Sequence, residues 1–148
     1  GQVATATVSV TVISLTTLLE IIVTVAATAV IAAATCEALS VAYEAIKENT
    51  KKQGDYFRAW LKGGDVFIRS DDPITENAAA SRVAGGLSVY TFTSTKASYV
   101  CYLTGLGVTA KEIDSKANRK KGRIYYYHYH TANRNGAHSW FGRPYYQD

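Results

Sequence analysis

The sequence predicts an α+β fold: an N-terminal hydrophobic, mainly helical segment, then a small mixed α/β domain that ends in a β-hairpin. Three observations predict it. Residues 3–35 are apolar, small or Thr-rich, with Glu20 as the only charge. The run Lys51-Lys52-Gln53-Gly54-Asp55 marks a change of character, after which strand-like and helix-like stretches alternate. A Tyr-rich strand pattern then meets the turn signal Asn133–Gly136 and returns. The expected division is residues 1–52 and residues 53–148. With 148 residues, 47% hydrophobic and 19% charged, the chain can build one core, and disordered, collagen-like and low-complexity classes are excluded.

The elements follow in order. Val3 to Ile13 alternates loosely and is rich in β-branched residues, so it suits an extended chain. Leu15 to about Lys47 lacks Gly and Pro and is Ala-dominated in its second half, which predicts helix. Val66–Arg69 reads as a strand. Asp72 as N-cap and Pro73 in the first turn predict a helix to about Ala84, stopped by Gly85-Gly86. Val89–Phe92 reads as a second strand, and Ser94 caps a helix through Leu103, stopped by Gly105. Tyr and Ile around the histidines predict a strand, with Ala137–Phe141 as its returning partner.

Residues 3–35 admit three readings: a buried or self-associating helix, a membrane-inserting segment, or a targeting remnant. No basic stretch precedes the apolar run, which disfavours a signal peptide. A Glu20 inside a membrane would cost on the order of a few kcal/mol and call for a function. The absence of Met and the start at Gly1 suit a fragment or processed form. Cys36 and Cys101 fit no zinc motif and could form one bridge or none.

Charge is uneven. The formal net charge is +4, and all 16 Lys and Arg lie after residue 46. The basic C-terminal part favours an anionic partner, RNA first among them. Lys120, Lys121 and Arg123 would steer such a substrate, and Tyr126 and Trp140 could stack a base.

All three histidines of the chain fall between 128 and 138. On a strand, His128 and His130 share a face with Tyr126. His138 joins them only if the connection is longer than a tight turn at Asn135-Gly136. Several chemistries use such a cluster. Metal-independent RNA cleavage needs a base, an acid and a phosphate clamp, here His128 or His130, His138 and Arg134 in turn. Zinc on three histidines is the alternative metal reading. Another enzyme chemistry, or plain aromatic packing with histidines at a sheet edge, also remains open. Between Lys116 and Gln147 there is no Asp or Glu. That cationic neighbourhood leads to the expectation of no cofactor and no bound metal, and of one phosphate-sized anion site near Arg134 and the histidines.

The string Tyr126-Tyr127-His128-Tyr129-His130-Thr131, Asn133-Arg134-Asn135-Gly136, His138-Ser139-Trp140-Phe141-Gly142 resembles the C-terminal signature of bacterial polymorphic toxins. These are variable modules at the ends of Rhs-repeat and other large secreted proteins. The approach is similar too, from Asp65-Val66-Phe67-Ile68 through Arg82-Val83-Ala84-Gly85-Gly86 to Lys111-Glu112-Ile113-Asp114. The resemblance spans roughly residues 55–143. It implies an effector that is secreted or delivered into target cells and restrained by an immunity protein. The expectation is thus a toxin effector cleaving RNA without a metal. The competing class is a membrane-inserting or self-assembling protein driven by residues 3–35, which are too apolar to stay exposed on a monomer.

Overall fold

The computed structural model describes residues 27–53 and 55–146. Its first elements are a hairpin of β1 (Thr28–Ile31) and β2 (Ala34–Ala38), followed by helix α1 (Leu39–Gln53). The Ala-rich stretch from Thr28 to Ala38 is therefore strand where its composition predicted helix, and helix begins only at Leu39. Long-range pairing overrides alanine's helix propensity here. β2 pairs with β4, Glu37 facing Ile68 and Ala38 facing Phe67. The turn Ala32-Ala33 has positive φ at both residues, 53° and 62°. That is the geometry of a type I′ hairpin turn, adopted here without glycine. Residues 1–26, and with them the extended Val3–Ile13 segment, Glu20 and the first part of the predicted hydrophobic helix, lie outside the described residues. So does Gly54.

The remaining elements are β3 (Phe57–Lys62), β4 (Asp65–Ile68), α2 (Glu76–Ala84), β5 (Val89–Thr91), α3 (Ser94–Leu103), β6 (Ile124–Tyr129) and β7 (Ser139–Tyr146). The mixed α+β expectation holds, as does the closing antiparallel pair β6–β7. Two helix starts differ from expectation. Thr75, not Asp72, caps α2, its hydroxyl accepting from the Ala78 N–H. Ile74 is held to Tyr56 in an isolated bridge, so Pro73 lies before the helix. Thr93, not Ser94, caps α3 by accepting from Lys96 N–H. The end of α2 is as expected. Gly86, at φ 89°, lets Leu87 N–H reach back to Arg82 O, a closure that a left-handed residue permits.

Among the described residues the sheet has seven strands in the order β1-β2-β4-β3-β5-β7-β6, mostly antiparallel, with β5–β7 parallel. One face carries α1. Leu39, Ala42 and Ile46 pack there with Phe57, Val66, Tyr90, Tyr126 and Trp140. The other face carries α2 and α3, where Ala79, Val83, Val100 and Cys101 meet Tyr56 and Val89. Alternation along β3 and β5 divides the two cores, Phe57 and Tyr90 on one side and Tyr56 and Val89 on the other. The described part of the first segment thus shares one sheet and one core with the residues after 55.

The sheet curls until its edge strand β6 meets β4. Ile124 N–H donates to Gly64 O at 2.8 Å, and the Tyr126 hydroxyl donates to Asp65 Oδ1 at 3.0 Å. Asp65 is 3% exposed and also accepts from Ser40 and from its neighbour Val66 N–H. Burial holds its carboxyl above the ordinary range, although these donors pull the other way. Both cysteines are free and buried. Among the described residues, no helix is long and apolar enough to cross a membrane.

Candidate active site

The inside of this curl is a cleft of about 450 Å³, bounded by Gly64 and Val66 on one side and by the three histidines on the other. The histidines converge because of the β6–β7 register. His128 faces Trp140 and Tyr129 faces Ser139, so His130 and His138 stand opposite each other just beyond the last pair. The connection between them is a long loop, not a tight turn, and it is built to return His138 to the same face. Asn135 donates its amide to the Val83 and Ala84 carbonyls at the end of α2 and accepts from Ala137 N–H. Thr131, fully buried, donates to Asn133 Oδ1. His138 N–H donates to Ser88 Oγ. Helix α2 therefore anchors the loop that carries His138.

The three rings form a triangle, with centroids 4.9 Å apart for His128–His130, 5.0 Å for His128–His138 and 4.6 Å for His130–His138. One ring nitrogen from each lies within 4.8 Å of the other two. Two of the rings are also tied to the backbone. His128 Nδ1 lies 3.1 Å from Tyr126 O, and His130 Nδ1 lies 3.0 Å from Ala137 O. A carbonyl only accepts, so both Nδ1 atoms carry hydrogen, and Nε2 of each ring is the nitrogen left to exchange a proton or bind a ligand. Trp140 stacks on His138 at 4.7 Å, with the planes 7° apart. Burial, then the neighbouring His128 and His130, push His138 down to about 4, and burial also lowers His128. Both rings are neutral at physiological pH.

Glu112 completes the cluster. It pairs with His128 in an antiparallel bridge, each N–H donating to the other's carbonyl at 2.9 Å. Its Oε1 lies 3.7 Å from His130 Nε2 and 4.0 Å from His128 Nε2. Arg134 grips the other side of the same carboxylate and holds it below its ordinary range. The expectation of a carboxylate-poor surrounding is thus overturned. The acid arrives from an upstream segment laid along β6, which no spacing inside residues 116–147 could reveal. The one local signal was the charged run Lys111-Glu112-Ile113-Asp114 leading toward the motif.

The other expected site residues divide. Lys120 and Arg123 line the cleft together with Glu112 and Asp114, so its lining carries both basic and acidic groups. Lys121 is exposed and is not among the lining residues. Arg134 is engaged by Glu112 at the outer edge and does not line the cleft, which corrects its assignment as a free phosphate clamp. Tyr126 is 3% exposed and spends its hydroxyl on Asp65, so it is a core residue, not a base-stacking platform. Trp140, 5% exposed, has one ring face covered by His138. His138, neutral and desolvated, is unsuited to the acid role expected of it. Comparison with family models, with curated proteins and with solved structures finds no match to this chain, so function must be read from the site.

Proposed function

We propose that the chain is a toxin-type effector domain that cleaves RNA by metal-independent acid–base chemistry in the histidine cleft. The observation that carries this reading is the convergence of three imidazoles, two of them with backbone-fixed tautomers, on one cleft that Lys120 and Arg123 also line. Their placement separates the roles. His138, packed on Trp140 and away from the carboxylate, acts as the neutral base that takes the proton of a ribose 2′-hydroxyl. The oxygen attacks phosphorus and the 5′-oxygen leaves. His130, whose Nε2 lies 3.7 Å from Glu112 Oε1, is the acid that gives the leaving oxygen its proton. Lys120 and Arg123 supply positive charge to the phosphate. The products are a 2′,3′-cyclic phosphate and a free 5′-hydroxyl.

Delivery into target cells and restraint by an immunity protein belong to the same proposal and rest on the sequence resemblance. The test is incubation of the chain with total RNA in excess chelator. Cleavage by the wild type, lost in His130→Ala and in His138→Ala, supports the reading. Equal activity in the wild type and all three His→Ala variants rejects it.

A further inference from the structure

We infer that His128, His130 and His138 form a zinc-binding site with an open fourth position beside Glu112. The inference does not depend on RNA being the substrate. It starts from how each histidine spends its two nitrogens. His128 Nδ1 and His130 Nδ1 are committed to the carbonyls of Tyr126 and Ala137. Metal-ligating histidines show this arrangement: one N–H bonded to a carbonyl or carboxylate, the other nitrogen turned to the ion with its tautomer already fixed. Two of the three histidines that converge here show it.

Nε2 of His128 and Nε2 of His130 lie within 4.0 Å of the same carboxylate oxygen. One nitrogen from each of the three rings lies within 4.8 Å of the other two. Bonds of about 2.0–2.1 Å to one ion draw them closer still, by small side-chain rotations. Neutral imidazoles suit zinc, and three such ligands leave a fourth position for water or substrate. Glu112 is placed to accept a hydrogen bond from a group in that position. The sequence argued against a metal because the neighbourhood looked wholly cationic. In the fold, Glu112 and Asp114 offset Lys120 and Arg123 around the cleft, and Arg134 is neutralised by Glu112.

Zinc on these nitrogens occupies the lone pairs that metal-free proton transfer uses. Where the proposed cleavage reading holds, zinc therefore competes with catalysis. The experiment is isothermal titration of the chelator-stripped chain with zinc chloride, paired with the visible spectrum of the cobalt(II) form. The expected result is one zinc per chain and the strong absorption of four-coordinate cobalt. Affinity should fall at least about tenfold in His130→Gln and His138→Gln chains that keep the wild-type circular dichroism spectrum. Folded wild-type protein that takes up no zinc and gives only the weak octahedral cobalt spectrum overturns the inference, and this arm needs no variant. Zinc uptake unchanged in all three His→Gln variants also overturns it. The two readings fail separately. Cleavage in chelator with no zinc uptake removes the metal site alone. Zinc uptake with cleavage only after zinc addition keeps the site and removes the metal-free mechanism.

Discussion

Glu112 and His128 face each other across an isolated antiparallel bridge, joined by two backbone hydrogen bonds of 2.9 Å. That pairing fixes the carboxylate on the same side as the imidazoles. It makes Glu112 the carboxylate that faces the cluster.

Glu112→Gln keeps the side-chain size and removes the charge. Cleavage should fall by about tenfold or more, since a positioned proton donor contributes roughly 10²–10⁴-fold and loses its supporting charge. Arg134→Ala, which removes only the outer partner, should have a smaller effect. Single-turnover rates on a short RNA check both, and a Glu112→Gln chain as active as wild type contradicts the assigned role.

Lys120→Ala and Arg123→Ala should weaken RNA binding without altering the fold. Each lost phosphate contact should reduce the slope of log K against log salt by about 0.7 for a single strand. Lys121→Ala, outside the cleft lining, should leave the slope unchanged. Fluorescence anisotropy at several salt concentrations measures it. Equal slopes for all four chains would sink the steering role of the cleft residues.

The fold was legible where local chemistry decides and obscure where long-range pairing does. Gly85-Gly86 ended α2 as read, because a left-handed closure needs glycine. Asp72-Pro73 looked like a helix start, but Ile74 is held by Tyr56 and the cap fell to Thr75. Thr28–Ala38 looked helical by composition, and its pairing within the β1–β2 hairpin and with β4 makes it strand. At the site, His128 and His130 could be placed on one face from their spacing. His138 could not, because the loop geometry depends on Asn135 reaching the end of α2. Glu112 was hidden for the same reason.

Tyr126 tests that distinction. Tyr126→Phe removes a buried hydrogen bond to Asp65 and should destabilise the chain by about 1–3 kcal/mol. RNA affinity should not change. A denaturant melt and a binding curve on the same protein decide it. Normal stability with weakened binding would restore the stacking role expected from the sequence.

Asp65 gives the fold a pH dependence. Burial raises its folded pKa above the ordinary value of 3.8. The folded chain therefore holds this proton to higher pH than the unfolded chain. Its contribution is fully present below the unfolded value and is lost as pH rises through the folded one. Stability of the wild type relative to Asp65→Asn should decline upward from about pH 4. Denaturant unfolding across mildly acidic pH measures this, and a relative stability that climbs with pH contradicts it.

The Ala32-Ala33 turn offers a gain. Both residues carry a Cβ in left-handed backbone. Ala33→Gly should stabilise the chain by about 1 kcal/mol, the order of that steric penalty for one residue. A thermal melt that shows a loss instead would argue against the hairpin reading of this Ala-rich segment.

The most direct test of the central claim is RNA cleavage by the full chain in excess chelator, wild type beside His130→Ala and His138→Ala. Cleavage products ending in 2′,3′-cyclic phosphate from the wild type, reduced at least about a hundredfold in both variants, are the expected result. RNA left intact by folded wild-type protein, or cleaved equally by all three chains, contradicts the account.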